Sequence, residues 1–380
     1  MENKVLKPKI RFKGFTDTWE QRKLEGIYKF QYGEFNNNPS NGGIYPVYGA
    51  NGIIGGYTNY NAENSVIIGH MGEYAGSVLW GNGKHFVTYN GTISKPRGEN
   101  VVSKFGYYML YQKDINKICG GSGLPFLSYE QLNKIEVCYP KDIKEQKSIA
   151  NYLTNIDNLI TLHQSKYDKL VNVKKALLEK MFPKDGKNVP EIRFKGFTDT
   201  WEQRKFKDYG SVAMCKRIFK YETSDSGDIP FYKIGTFGNK ADAFITNEKY
   251  EYYKSKFSFP NKGDILLSAS GTIGRIVEYS GEKAYFQDSN IVWLNHNDNI
   301  KNSFLKVLYP IVKWDGIEGS TIKRLYNSNF LSTEIHVPKV KEQEKIGVLF
   351  EKIDNLITLH QHKLEKLKNM KKSLLNKMFI

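Results

Sequence analysis

The side chains in this sequence that could do chemistry are suited to binding, and they lie in stretches punctuated by glycine. Arg and Lys can contact guanine through two hydrogen bonds, Asn and Gln can do the same with adenine, and Ser and Thr are permissive. Glycine-flanked polar loops are natural places for such contacts, because loops lie at the surface. In the first half of the chain, the candidate DNA-binding residues are Asn36, Asn37, Tyr57, Asn59, His70, Tyr74, His85, Tyr89 and Asn90. In the second half, they are Lys216, Arg217, Lys233, Thr236, Asn239, Ser270, Thr272, Arg275, Gln287, Ser289, Asn290, Lys323 and Arg324.

Each of these side chains could equally be an ordinary solvated loop residue, so the prediction concerns the two sets. The chain has 380 residues, of which 56 are basic and 40 acidic, for a net charge of +16. A basic globular chain rich in Tyr, Asn and Gly favours a polyanionic partner, most often nucleic acid. The alternative at this level is a solvated basic surface.

Motifs of intrinsic catalysis are missing from the sequence. It contains no GxxxxGK[ST] phosphate loop, no HExxH and no CxxC pair. A nuclease-like set could be assembled from Asp142, Glu145 and Lys147, but its spacing is tight and the second half does not repeat it. The three cysteines have no metal-like spacing and suit a reducing compartment. We therefore predict no catalytic residue, no metal site and no cofactor in this chain. Without a secretory signal or an apolar run near ~20 residues, we expect a cytoplasmic location and no membrane partner.

The sequence contains a long internal repeat. IRFKGFTDTWEQRK at Ile10–Lys23 returns letter for letter at Ile192–Lys205, and IDNLITLHQ at Ile156–Gln164 returns at Ile353–Gln361. The segments between these frames differ in sequence, and they differ in length by 15 residues. A repeat of this kind decides the fold. Two like frames indicate one kind of partner held twice, and two unlike segments indicate two different targets.

Two helices are predicted from a hydrophobic period of 3.5 residues, which is typical of a coiled-coil seam. His163 and His360 are expected either to pack in the seam or to extend to the surface, and Lys174 and Lys371 are expected to extend their amines to solvent. The seam residues are Ile149, Leu153, Ile156, Ile160, His163, Tyr167, Leu170, Leu177, Met181, Ile346, Phe350, Ile353, Ile357, His360, Leu364, Leu367, Leu374 and Met378.

The segments outside the helices are predicted to be small mixed α/β domains of one shared fold. Ser65–Ile68 and Asp264–Leu267 read as strands, each followed by a glycine-rich loop. Pro140 and Pro338 end the last strand before each helix. The predicted organisation is a domain over 1–145, a helix over 146–182, a second domain over 183–342 that begins with a linker at 183–190, and a helix over 343–380.

This arrangement resembles the specificity subunit of a Type I restriction–modification enzyme. The resemblance covers essentially the whole chain and is carried by four features: RFKGFTDTWEQRKL with its copy, GDILLSASGTIG at Gly263–Gly274 with its counterpart at Ser65–Gly76, the closures at Val137–Ile149 and Val337–Ile346, and the IDNLITLHQ helices. It implies an α+β fold with two similar target-recognition domains in pseudo-twofold tandem, separated by a long antiparallel coiled-coil helix pair.

The resemblance also implies a function. Each domain would read one half of a bipartite, asymmetric site in double-stranded DNA. The helices would dock two adenine-N6 methyltransferase subunits, restriction (translocase) subunits would join the complex, and one copy of this chain would be present. S-adenosylmethionine would belong to the methyltransferase partner, and ATP and Mg²⁺ to the restriction partner. Alternatives are a stand-alone DNA-binding protein, a tandem protein- or glycan-binding scaffold, and an enzyme with an unrecognised nuclease site.

Overall fold

The computed structural model describes residues 6–35, 40–120, 124–184, 186–317 and 323–380. The chain forms two compact units. Unit 1 comprises Met1–Ser165 and Gln361–Ile380, and unit 2 comprises Lys166–His360. Each unit therefore contains one mixed α/β domain, together with a segment of each of the two long helices.

Unit 1 is built around a six-stranded sheet. Its elements are β1 (Glu20–Lys23), β2 (Tyr28–Tyr32), β3 (Tyr45–Gly49), β4 (Gly52–Tyr57), β5 (Ala62–Gly69), β6 (Val78–Val87), β7 (Gly91–Pro96), α1 (Ser103–Gln112), α2 (Tyr129–Lys134), β8 (Glu136–Tyr139) and the start of α3 (Ile143–Lys180). The strand order of the large sheet is β2-β7-β5-β6-β3-β4, and β1 pairs with β8 in a separate ladder. The buried run of β5 includes the predicted strand Ser65–Ile68, which confirms that prediction.

Unit 2 divides its strands among smaller sheets. Its elements are β9 (Glu202–Lys205), β10 (Gly210–Met214), β11 (Ile229–Tyr232), β12 (Phe244–Ile245), α4 (Asn247–Lys256), β13 (Ile265–Ser268), β14 (Ile276–Glu278), β15 (Tyr285–Phe286), β16 (Ile291–His296), α5 (Asn302–Leu308), α6 (Asn327–Ser332), β17 (Glu334–Val337) and the start of α7 (Val340–Met378). The strand orders are β10-β16-β13-β14 and β12-β11-β15, and β17 pairs with β9. The predicted strand Asp264–Leu267 corresponds to β13, with an offset of one residue.

Each unit contains the same buried ion pair, which involves one arginine of the letter-for-letter repeat. Arg11 binds the carboxylate of Glu145 through two nitrogens, at 2.6 and 2.7 Å. Arg193 binds Glu342 in the same way, at 2.7 and 2.8 Å. Both carboxylates are buried at the start of a long helix. Because a buried charge is costly unless it is paired, neither partner can vary alone.

The glutamine after each of these glutamates ties the helix start to two loops. In unit 1, the amide of Gln146 donates to the carbonyls of Asn100 and Pro140, both at 2.9 Å. In unit 2, Gln343 donates to Asn299 and Pro338, also at 2.9 Å. The repeated Glu-Gln dipeptide therefore connects the start of each long helix to the loops of its domain.

The long helices begin three residues before the bounds expected from the sequence, and they contain 38 and 39 residues. In unit 1, the end of α7 packs on the start of α3, because Leu375 and Met378 share a core with Ile149 and Leu153. In unit 2, the end of α3 packs on the start of α7, where Leu177 lies against the core that contains Ile346. The segments are antiparallel in each unit, which confirms the predicted fold class.

The seam positions are all buried or half-buried, including the two histidines. The seam lysines correct the sequence-based expectation, because they form ion pairs. Lys371 lies 2.6 Å from Asp157 in unit 1, and Lys174 lies 2.6 Å from Asp354 in unit 2. Asp354 and Lys371 are the repeat copies of Asp157 and Lys174. Each pair therefore joins the aspartate of one helix to the lysine of the other.

Candidate nucleic-acid interface

A concave surface lies at the same place in each domain, where the glycine loop after a central strand meets the segment before a short helix. In unit 1, the Gly72 N–H donates to the Pro125 carbonyl at 2.9 Å, and the Leu127 N–H donates to the His70 carbonyl at 2.9 Å. In unit 2, the Gly271 N–H donates to Lys323 at 2.9 Å.

The second bond of the pair is also repeated, because the Leu325 N–H donates to the Ala269 carbonyl at 2.8 Å. Gly72 and Gly271 have φ values of +80° and +67°, a left-handed conformation that favours glycine. Asn90 and Asn290 accept equivalent backbone bonds from His70 and Ala269, both at 2.8 Å. The two loops therefore share one backbone geometry.

The side chains on this shared backbone differ between the units. Site 1 is a concavity of about 440 Å³. Its apolar lining side chains are Ala50, Ile54, Met71, Tyr74, Leu124, Pro125 and Phe126, and its polar ones are Asn51, Glu73 and Asn90. Site 2, of about 360 Å³, is lined mainly by polar ones: Ser270, Ser289, Asn290, Arg324, Tyr326 and Asn327. In site 2, the Ser270 hydroxyl donates to the Asn290 side-chain oxygen at 2.7 Å.

The sequence-predicted residues of unit 1 are only partly brought together. Tyr74 and Asn90 line site 1, and the exposed Tyr89 packs its ring against Phe35 at a centroid distance of 5.6 Å. Tyr57 ends β4 and Asn59 is exposed just beyond it, and neither residue lines site 1. The predictions for Asn36 and Asn37 lie outside the described residues.

The two histidines predicted to contact DNA lie below the surface. His70 is buried between the rings of Tyr32 and Phe126, and burial lowers the pKa of its imidazole, which therefore favours the neutral form. His85 has no exposed surface, and its two nitrogens lie 3.0 Å from the Ser65 hydroxyl and 2.8 Å from the Gly83 carbonyl. The prediction that His85 contacts DNA is corrected, since in this fold the side chain is a core residue.

In unit 2, four of the predicted residues meet at site 2: Ser270, Ser289, Asn290 and Arg324. Thr272 and Lys323 are exposed on the two segments that form it, and Lys216 and Asn239 are exposed elsewhere. The remaining predicted side chains hold loops in place. These contacts are Arg217 with Asp288 at 2.6 Å, Lys233 with Asp242 at 2.9 Å, Arg275 with the Phe237 carbonyl at 2.9 Å, Gln287 with the Ile234 N–H at 2.9 Å, and Thr236 with the Lys233 N–H at 3.1 Å.

The apolar residues of site 1 were not predicted from the sequence, because the candidates were chosen as side chains able to form hydrogen bonds with bases or phosphates. Met71, Leu124 and Phe126 are exposed there, Leu124 to 78%. The sequence also did not predict Tyr221, which is 85% exposed and stacks on Phe219 with a 6° angle between the rings. Apolar residues in the loops that align between the two halves of the sequence could have indicated these positions.

A second repeated surface lies on the long helices. Leu159 and Leu162 are 43% and 47% exposed on α3, and their repeat copies Leu356 and Leu359 are 44% and 46% exposed on α7. We call these the leucine pairs. Their identity in both copies is unexplained by the seam, because they face away from it. They are therefore available for contact with another molecule.

Among the described residues, no group of His, Cys, Asp and Glu side chains could hold a metal ion. No helix in the described part of the chain is long and apolar enough to cross a membrane. The fold and its sites thus define a tandem recognition protein, with two like domains that present unlike surfaces.

Comparison with known proteins gives the family. The family model of the Type I restriction modification DNA specificity domain matches twice, at residues 16–172 and 198–369. The chain belongs to this family of Type I specificity subunits, which are the non-catalytic components of restriction–modification complexes.

Individual relatives agree with this assignment. A Haemophilus influenzae chain assigned as a type I restriction enzyme specificity subunit is 36% identical over 83% of this chain and 81% of its own length. The MjaVIII specificity subunit of Methanocaldococcus jannaschii is 22% identical over 83% of this chain and 78% of its own. The crystal structure of the S subunit of a Type-I restriction-modification system from M. genitalium has the same fold, with a TM-score of 0.72, 18% identity, and coverage of 98% of this chain and 99% of that one.

Proposed function

We propose that this chain reads a bipartite, asymmetric site in double-stranded DNA, one half with each domain. The observation that carries the proposal is the pair of sites 1 and 2, which share a backbone geometry but not their side chains. A common geometry would present each surface to DNA in the same way, whereas different side chains would select different bases. The net charge of +16 supports a partner that carries phosphates.

The leucine pairs support docking of two copies of one partner, which we propose to be adenine-N6 methyltransferase subunits. Identical exposed apolar pairs on two helices suit identical partner surfaces, because burial of leucine side chains against a partner is favourable. The complex would hold one copy of this chain, and restriction (translocase) subunits would join it. S-adenosylmethionine would be bound by the methyltransferase, and ATP and Mg²⁺ by the restriction partner. The complex would act on chromosomal DNA in the cytoplasm.

The DNA-reading proposal is tested by co-expressing this chain with its methyltransferase in a host that lacks N6-methyladenine. Sequencing of the methylated genome should reveal one split motif with two unlike halves. DNA binding by the complex should also weaken steeply with salt, because phosphate contacts release counterions. A palindromic motif would contradict the role of two unlike sites, and an unmodified genome with salt-independent binding would contradict a DNA role.

The docking proposal is tested with Leu159→Ser and Leu356→Ser. Each should weaken binding of one methyltransferase copy, and the double variant should weaken both, as measured by the mass of the purified complex. Val171→Ser is the matched control, because Val171 is 38% exposed on α3 while its repeat counterpart is Lys368. Equal loss of docking in the control and in the leucine variants would contradict the assignment.

A further inference from the structure

The two domains carry different residues at one equivalent pair of positions. An isolated β-bridge joins Met71 to Phe126 in site 1, and the equivalent bridge joins Ser270 to Arg324 in site 2. In both units, the bridge is flanked by the pair of backbone hydrogen bonds between the glycine loop and the segment before the short helix. Because these two segments are held by the same hydrogen bonds in both units, the bridge presents different side chains from a common backbone.

Arg324 carries an exposed guanidinium on a segment whose backbone is held on both sides by hydrogen bonds to the glycine loop. It is exposed, and in the part of the chain that the structure describes it has neither an ion pair nor a side-chain hydrogen bond. Arg217 and Arg275, in the same unit, are held by Asp288 and by the Phe237 carbonyl. An unpaired guanidinium offers a planar set of donors, which matches the O6 and N7 acceptors of guanine.

The same position in site 1 has no donor to offer. Phe126 is 40% exposed, its ring lies edge-on to His70 at 4.7 Å, and its bridge partner Met71 is 37% exposed. Leu124, two residues earlier, adds further apolar surface to the wall. Among the base edges of the major groove, the apolar group that such a surface can select is the C5-methyl of thymine.

We propose that this bridge pair is a specificity-determining position in each domain: Arg324 reads a guanine in one half-site, and Phe126 with Met71 reads a thymine methyl in the other. The inference rests on the proposed DNA-reading function and assigns the chemistry of each half. Asn90 and Asn290, which border the two sites, are then placed to contact neighbouring bases.

The guanine contact is tested on the purified methyltransferase complex with duplexes that carry 7-deazaguanine at each guanine of the motif in turn. One substitution, which removes the N7 acceptor, should weaken binding by the wild-type complex and have no effect on the Arg324→Ala complex. In the methylated genome, Arg324→Ala should relax that one position, and discrimination there should fall by roughly 5- to 150-fold. Arg204→Ala is the matched control and should leave the motif unchanged, because Arg204 is exposed in the same unit, pairs with Glu202 at 2.7 Å and does not line site 2.

The thymine contact is tested by replacing each thymine of the motif with uracil, which lacks the methyl group. One replacement, in the half-site that Arg324→Ala does not affect, should weaken binding about four-fold, the effect expected of one buried methyl group. The Phe126→Ala complex should show no such loss.

The alternatives give different results. If Arg324→Ala weakens binding equally for all sequences and reduces the salt dependence, the side chain contacts phosphate and the inference is wrong. If both variants relax the same half-site, the assignment of one half to each domain fails. If the wild-type complex yields no split motif at all, the proposed function fails before this inference is reached.

Discussion

Glu145→Gln should destabilise unit 1 locally and leave the stability of unit 2 unchanged. The carboxylate is 1% exposed, and its partner Arg11 is 13% exposed, so the substitution leaves a nearly buried guanidinium without its counter-charge. Removal of one partner from a buried ion pair typically costs 3–5 kcal/mol. The Arg11 Nη1 atom keeps a bond to the Asp17 carbonyl at 2.6 Å, so we expect the lower end, about 3 kcal/mol.

Hydrogen exchange measured by mass spectrometry is the appropriate assay, because two units need not unfold in one transition. A loss of about 3 kcal/mol should speed exchange by roughly 100-fold in peptides that cover residues 10–24 and 136–150. The equivalent peptides of unit 2 should keep their rates. Glu342→Gln should give the mirror result.

The double variant Arg11→Met/Glu145→Leu separates burial of an unpaired charge from loss of packing. It should regain most of the lost protection, because apolar residues of similar volume can replace a buried ion pair at little cost. The reasoning is refuted if Glu145→Gln speeds exchange less than three-fold, or if both units respond equally.

Two further predictions follow from the same geometry. The Lys104 amine lies 4.3 Å from the Trp80 ring centroid, and burial lowers its pKa to about 8. The free-energy cost of burying the charged amine is therefore fully present below pH 8. That cost decreases as the pH rises towards 10.5, the ordinary pKa of a lysine amine. Lys104→Met should thus gain more stability at pH 7 than at pH 9.5 in urea unfolding, and a pH-independent difference would contradict the assignment. The Ile10 N–H donates to the Lys377 carbonyl at 2.9 Å, and the Ile192 N–H donates to the Lys180 carbonyl at the same distance, so each repeated segment contacts the last turn of a long helix in the same way. A circular permutant opened in the linker and joined at the old termini should keep its melting temperature within a few degrees, and a strongly destabilised permutant would show that the two connections differ.

The sequence alone determined the frame of this protein. The identical segments indicated two like units, the 3.5-residue period gave both long helices to within three residues at their starts, and the buried strands β5 and β13 followed from short apolar runs. These features depend on neighbours in sequence, so local patterns reveal them.

Tertiary structure alone decided which side chains meet. Arg11 and Glu145 are separated by 134 residues, and their pairing, which no local pattern reveals, gives a reason for the repeated arginine. The sequence predicted that His85 contacts DNA from a loop, yet the fold places its side chain in the core. Phe126 and Arg324 occupy equivalent positions because each forms a β-bridge with the loop that follows a strand distant in sequence. Contacts between segments distant in sequence depend on the tertiary packing of the whole domain. For that reason, only the structure showed which side chains line the two sites.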